Sequence, residues 1–274
     1  MKNAVLEKWA SIQTAINSYH DLNAIIDFDW WEQQIQEINN EVPNNLFFAL
    51  DDQDKKNCQL LDHYIHMVRS KILAKQYRQL RSKLNSKDCI GTLFEIILLG
   101  ILLDNTKQDC IKIFDRIERK SNINECSIKI HDRWISIEAS SMKMYEQDLR
   151  KLNEIAVGTE KNGFSTGSFW AHTPLDEAKR LRSKFEDKFS QLTNNMPNVI
   201  FFLNMTNLYG NLIVDYCFNK MDWCPPELSR VYFFTTKGLL KKYDNILSSY
   251  QLTENEMQYL DRIADLLPLS MYFK

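Results

Sequence analysis

Apolar positions recur every three or four residues through the first third of the chain. Val5, Trp9, Ile12 and Ile16 keep that spacing, and so do Trp31, Ile35 and Ile38 before a break at Pro43. This is the period of an amphipathic helix. A long helix is predicted over 54–86, with Leu61, Ile65, Val68, Ile72, Leu80 and Leu84 as its apolar stripe. The next segment, KDCIGTLFEIILLGILLDN (87–105), is apolar on all sides and predicts a mostly buried helix with Asp88 as candidate N-cap.

Beyond it the pattern shortens. CIKIFDRI (110–117), NECSIKIH (124–131) and RWISIEAS (133–140) are rich in β-branched and aromatic residues and predict three strands, the last two joined by a tight turn at Asp132. Residues 141–174 are less regular. PLDEAKRLRSKFEDKFSQLTNN (174–195) predicts an amphipathic helix with proline and acidic residues in its first turn. NVIFFLNM (198–205) reads as a fully buried strand, with NLIVDYCF (211–218) as its neighbouring strand. RVYFFTT (230–236) adds a strand and 237–249 a helix, and TENE (Thr253 to Glu256) opens a last helix with a capping box. The expected class is α/β (α+β), in three parts. They are a helical N-terminal region over 1–87, a core over 88–220, and a C-terminal strand and helices over 221–274 that pack on the core.

Composition narrows the classes. The chain has 274 residues, 44% of them hydrophobic, enough to bury a real core. Seven Gly and six Pro exclude a fibrous or disordered chain. A net charge of −2 gives no overall pull toward nucleic acid or membrane, so any basic surface must be local. The start lacks the apolar run of a signal peptide, and IILLGILL (96–103) is too short to span a bilayer, so a cytoplasmic protein with no membrane contact is expected. Six cysteines without CxxC spacing read as reduced thiols. His63 and His66 have no third ligand near them in sequence and read as surface or packing residues. Between Arg69 and Lys87 lie seven basic residues and no acidic one. Either this is a solvated face, or Lys71, Lys75, Arg78 and Arg81 contact phosphates.

Three carboxylates fall at particular places. Glu95 stands inside the apolar helix, where a carboxylate is costly without a partner or a metal. Glu125 begins the second strand, and Glu138 ends the third. The order from 88 to 205 is helix, three strands, helix, strand. With carboxylates at those points, it resembles the PD-(D/E)xK nuclease superfamily. The resemblance implies a restriction-endonuclease-like αβββαβ core and a metal-dependent endonuclease that hydrolyses DNA, with a restriction or defence role among those the family allows. It implies Mg²⁺, with Mn²⁺ as substitute, held by Glu125 and Glu138 and supported by Glu95. A hard cation takes such oxygen ligands and acts on phosphate as a Lewis acid. DNA is the implied partner, and a homodimer follows from resemblance only.

The sequence departs from the family twice. Glu125 replaces an aspartate with no proline before it, and Ser140 stands where the strand lysine belongs. Strand alternation puts Ser140 on the same face as Glu138, but serine carries no charge. The family sometimes moves this lysine to the following helix, and Lys188 fits. At about 100° per residue it projects roughly 20° from Leu181, at the edge of the apolar face, with Lys184 and Gln191 on the same side. Snorkelling from that boundary is the other reading of Lys188. Lys143 and Lys129 rank below it. Catalytic candidates are therefore Glu95, Glu125, Glu138 and Lys188, with Lys184 added to the nucleic-acid-binding set. Two further functions stay open: a nuclease-fold protein that binds nucleic acid without cleaving it, and a protein-binding module using Trp30, Trp31, Trp170 and Trp223.

Overall fold

The computed structural model describes residues 2–37, 50, 56–86, 89–114, 126–143, 173–205, 210–218 and 222–272. The N-terminal part is helical: α1 (Lys2–Ile16), α2 (His20–Ile25), α3 (Phe28–Glu37), α4 (Lys56–Arg69) and α5 (Ala74–Leu84). The helix expected over 54–86 is two helices. Ser70 Oγ donates to the Met67 carbonyl (2.7 Å), and the Lys71 N–H closes onto Val68 one residue early. Side-chain competition of this kind ends a helix. Gln76 Oε1 then accepts from the Leu73 N–H (2.7 Å) and starts α5.

Helix α6 (Cys89–Asn105) is buried on every side over most of its length, as its unbroken apolar run requires. A Cβ at Gly100 would meet the Tyr64 ring at 2.4 Å, so α4 and α6 pack closely only because residue 100 is glycine. A Cβ at Gly91 would lie 2.8 Å from Ser141 Oγ.

After α6 come β1 (Ile111–Ile113), β2 (Cys126–Ile130), β3 (Arg133–Met142), α7 (Pro174–Phe189), β4 (Asn198–Asn204), α8 (Gly210–Phe218), β5 (Leu228–Thr235), β6 (Gly238–Asp244), α9 (Glu254–Asp265) and α10 (Leu269–Tyr272). The strands form one open sheet in the order β1-β2-β3-β4-β5-β6. The pairs β1/β2, β2/β3 and β5/β6 are antiparallel, whereas β3/β4 and β4/β5 are parallel. The protein is thus mixed α/β.

Two expectations fail here. Residues 211–218 form helix α8, not a strand. An apolar run this short does not distinguish strand from buried helix, and joining parallel β4 to β5 calls for a crossover. Residues 238–244 form strand β6, not a helix. Pairing with β5 outweighs local propensity, and Gly238, at φ +121°, makes the turn into it. The β1 strand ends at Ile113, and 115–125 lies outside the described residues, as do Asp88, Pro43 and Trp170.

Strand alternation divides the core in two. Ile135, Ile137, Ala139, Val199, Phe201 and Leu203 face α6, in a cluster that also holds Trp9, Trp31 and Tyr272. Met142, Ile200, Phe202, Val231 and Phe233 face α7 and α8. Capping boxes start α7, where Thr173 pairs with Asp176, and α9, where Thr253 pairs with Glu256. The latter is as the sequence indicates.

Polar pairs fasten the N-terminal helices. Asp21 is buried, and its carboxylate accepts from Arg69 (2.6 Å) and lies 2.8 Å from His66 Nδ1. Arg69 is therefore held structurally rather than free for phosphate. His63 lies 2.9 Å from Asp104. Both histidines are exposed surface residues, each set against a carboxylate.

Two outcomes test this packing. Gly100→Ala should lower stability by about 1–3 kcal/mol through overpacking, and Tyr64→Ala, which removes the ring but keeps a Cβ that would lie 2.5 Å from the new methyl, should relieve only part of that loss; denaturant unfolding of the two single variants and the double variant measures the coupling. Burial alone raises the Asp21 carboxyl, but hydrogen bonds from Arg69 and His66 outweigh it and leave it below its ordinary value. Its contribution is then complete above the unfolded carboxylate range, about pH 4, and is lost as the pH falls through the folded value. Asp21→Asn should destabilise at neutral pH and cost less near pH 3, read by urea unfolding at both.

Candidate active site at the end of helix α7

Glu138 is fully buried on the α7 side of β3, the face shared with Ser136, Ser140 and Met142. Lys188 lies in the last turn of α7, and its Nζ stands 3.5 Å from Glu138 Oε2. It also donates to Gln191 Oε1 (2.9 Å). The helix places it there because Leu181 and Phe185 anchor the apolar face in the core, leaving Lys188 at the boundary with 17% of its side chain exposed. Opposite charges interact strongly out of water, and a buried carboxylate stripped of its cation is costly.

The end of α7 is fixed by a side chain that the sequence reading passed over. Asn198 is fully buried at the head of β4. Its Oδ1 accepts from the Thr193 N–H (2.7 Å), and its Nδ2 donates to the carbonyls of Thr193, Met196 and Glu227 at 2.8–3.0 Å. Thr193 Oγ1 donates to Ser136 Oγ (3.2 Å), two residues before Glu138 on the same strand face. Thus the loop after Lys188 is tied to the strand that carries Glu138. A polar residue opening an otherwise apolar run, NVIFFL, was the available signal for Asn198.

Lys188 and Gln191 line a cleft of about 440 Å³, and Glu95 of α6 lines it too. Glu95 is buried at 7% exposure, so it reaches the cleft rather than open solvent. The opposite wall is α5, through Gln76, Gln79, Leu80, Ser82 and Lys83. Lys188 is thus the link between the two carboxylates: it lies 3.5 Å from Glu138 and lines the cleft with Glu95, while Glu138 itself does not line the cleft. Glu125 lies outside the described residues; β2 is described only from Cys126, which pairs with Ile137.

The expected phosphate contacts divide. Lys71, Lys75, Arg78, Arg81 and Lys184 are all exposed. None of these five lines the cleft; Lys71 lines a groove of about 400 Å³ beside it. The face of α5 that lines the cleft carries glutamines and Lys83, which a count of charge along the helix does not single out. Lys129 pairs with Asp132 in the turn at 3.8 Å and sits opposite Trp134, four residues along β3 from Glu138. Lys143 is half-buried just past β3. Trp31 is core, with its Nε1 donating to Asn85 Oδ1 (2.9 Å), and Trp223 donates to the Cys217 carbonyl (2.7 Å). Neither is an exposed anchor for a partner protein.

The donor chemistry can be compared with the implied Mg²⁺. Glu138 and Glu95 offer carboxylate oxygens, the ligand type a hard cation takes. Among the described residues no three His, Cys, Asp or Glu side chains gather as a metal site. Donor type fits the ion, and the described residues supply part of a ligand set.

No protein-family model, curated protein or solved structure matches the chain. Among the described residues no helix is long and apolar enough to cross a membrane.

The ion pair has a direct test. Lys188→Met should destabilise by about 3–5 kcal/mol, the typical cost of removing one partner of a buried pair. Adding Glu138→Gln should recover part of that loss. Denaturant unfolding of the two single variants and the double variant gives the coupling energy, and additive losses would mean the two side chains do not interact.

Proposed function

We propose that the protein is a metal-dependent nuclease that hydrolyses DNA phosphodiester bonds on a restriction-endonuclease-like core. The observation that carries this reading is the 3.5 Å approach of Lys188 to the buried Glu138 in a site whose cleft also holds Glu95. The element order α6-β1-β2-β3-α7-β4 supports the same core. In this reading the lysine absent at Ser140 is supplied by α7.

Glu138 would hold Mg²⁺, with Glu95 in support and Glu125 as the second ligand that the family pattern implies. The ion supplies Lewis acidity and charge neutralisation at the phosphate. Lys188 is a cation fixed in a largely water-excluded place, where it can hydrogen-bond the attacking water or a phosphoryl oxygen as negative charge grows. Gln191 orients the ammonium. Glu95 adds negative charge on the same cleft, which favours a cation there.

A second reading is favoured by one observation. Glu138 has no exposed surface, and Lys188 already neutralises it. A protein whose site had become structural would look the same, and would bind nucleic acid without cutting it.

Cleavage of supercoiled plasmid with Mg²⁺ or Mn²⁺ separates the two. The nuclease reading expects metal-dependent nicking by the wild type, reduced about 100–1000-fold in Glu138→Ala and in Lys188→Ala. Loss in Glu138→Ala alone would move the lysine role to Lys143. No metal-dependent cleavage by well-folded wild type would leave the binding protein.

A further inference from the structure

Across the cleft from Lys188 and Glu95, the face of α5 presents Gln76, Gln79, Leu80 and Lys83. Their spacing is i, i+3, i+4 and i+7, so they form one stripe of the helix. Leu80 is buried and anchors the stripe, and Gln76 is engaged at the head of α5, where it caps Leu73. Gln79 and Lys83 are left as exposed polar groups on the cleft, one turn apart. Among the described residues that line the cleft, two are lysines and one is a carboxylate. Lys188 already faces Glu138 at 3.5 Å. Among the described residues Lys83 makes no ion pair, so its charge is available to an anion from solution.

The turn that carries Lys83 is held in place. Leu84 is fully buried. Asn85, which caps α5, accepts through Oδ1 from the Asp27 N–H (2.8 Å) and Trp31 Nε1 (2.9 Å). Its Nδ2 donates to the carbonyls of Ile25 and Arg81, both at 2.7 Å. The end of α5 is thereby fixed against α2 and α3. A cation in the last turn of a helix also offsets the helix dipole, and that alone would account for a lysine here. Arg81 serves the dipole equally, in the same turn. At about 100° per residue, however, Arg81 projects roughly 160° away from Lys83. Arg81 is exposed and does not line the cleft, whereas Lys83 does.

We propose that Lys83 is the residue that binds the phosphate backbone of the substrate, holding a phosphate across the cleft from Lys188 with the Gln79 amide beside it. An exposed ammonium of this kind binds substrate and transition state alike, so it serves affinity rather than the chemical step. This rests on the nucleic-acid reading above. It moves the phosphate contact from Lys71, Lys75, Arg78 and Arg81 to the one lysine of α5 that faces the site.

Fluorescence anisotropy in EDTA separates binding from cleavage, with a labelled DNA duplex and one of its strands as probes. For whichever probe the wild type binds tighter, Lys83→Gln should weaken binding about tenfold and flatten the dependence of log affinity on log salt by about 0.7–0.9. Lys83→Arg should keep both. Arg81→Gln, at the same helix end, should change neither. Gln79→Ala should weaken binding by less and leave the salt dependence as it is, because an amide carries no charge. In Mg²⁺, cleavage by Lys83→Gln should show a raised KM and an unchanged kcat. Circular dichroism confirms that each variant is folded. Full affinity in a folded Lys83→Gln, equal losses in Lys83→Gln and Arg81→Gln, or a fall in kcat with KM unchanged would each overturn the proposal. If plasmid is still cut in a Glu138-dependent way, the nuclease reading survives that failure. Absence of binding of either probe by the wild type would remove both.

Discussion

A carboxylate with no exposed surface in the middle of a sheet must be answered by positive charge, and the approach of Lys188 to Glu138 meets that demand. Much of the surrounding structure serves that approach. Helix α7 must cross the sheet so that its last turn lies over β3. The parallel pairing of β3 with β4 allows this, because the connection between parallel strands must pass over one face. The face it covers is the one on which Glu138 stands, opposite the face that meets α6.

That geometry depends on buried polar contacts as much as on apolar ones. Leu181, Phe185, Ile200, Phe202 and Phe233 hold α7 against the sheet, with Phe185 stacked on Phe202 at 4.6 Å between ring centroids. Apolar contact alone is tolerant of small shifts along the helix. Asn198 removes that freedom by holding both ends of the loop that follows Lys188, and the Thr193–Ser136 hydrogen bond ties the same loop to β3. On the other side, Gly100 and Gly91 let α6 lie close to α4 and β3, and α6 carries Glu95 to the cleft. The site is thus assembled from both layers, which meet at the cleft lined by Glu95, Lys188 and Gln191.

Part of this was legible in the sequence. Lys188 could be placed at the boundary of an apolar face because helix α7 is strongly amphipathic, and period alone fixes which residues lie beside Leu181. Glu138 could be placed on a strand because the run RWISIE has the composition of one. Helix α8 and strand β6 were misread because their form is set by long-range demands, a crossover between parallel strands in one case and an edge to pair in the other. The split between α4 and α5 turns on one hydroxyl, that of Ser70, which competes for a helix carbonyl. The basic run was visible, but which of its residues would face the cleft was not, because that depends on how α5 rotates after the break.

We propose that Glu138, held by Lys188, is a cation site for phosphodiester chemistry. Calorimetric titration of the folded protein with Mn²⁺ tests it without any substrate. A saturable site in the wild type that is lost in Glu138→Gln, with the fold unchanged by circular dichroism, is the predicted result. Binding left intact by Glu138→Gln, or no Mn²⁺ binding by the wild type, would contradict it and leave the pair as a structural contact.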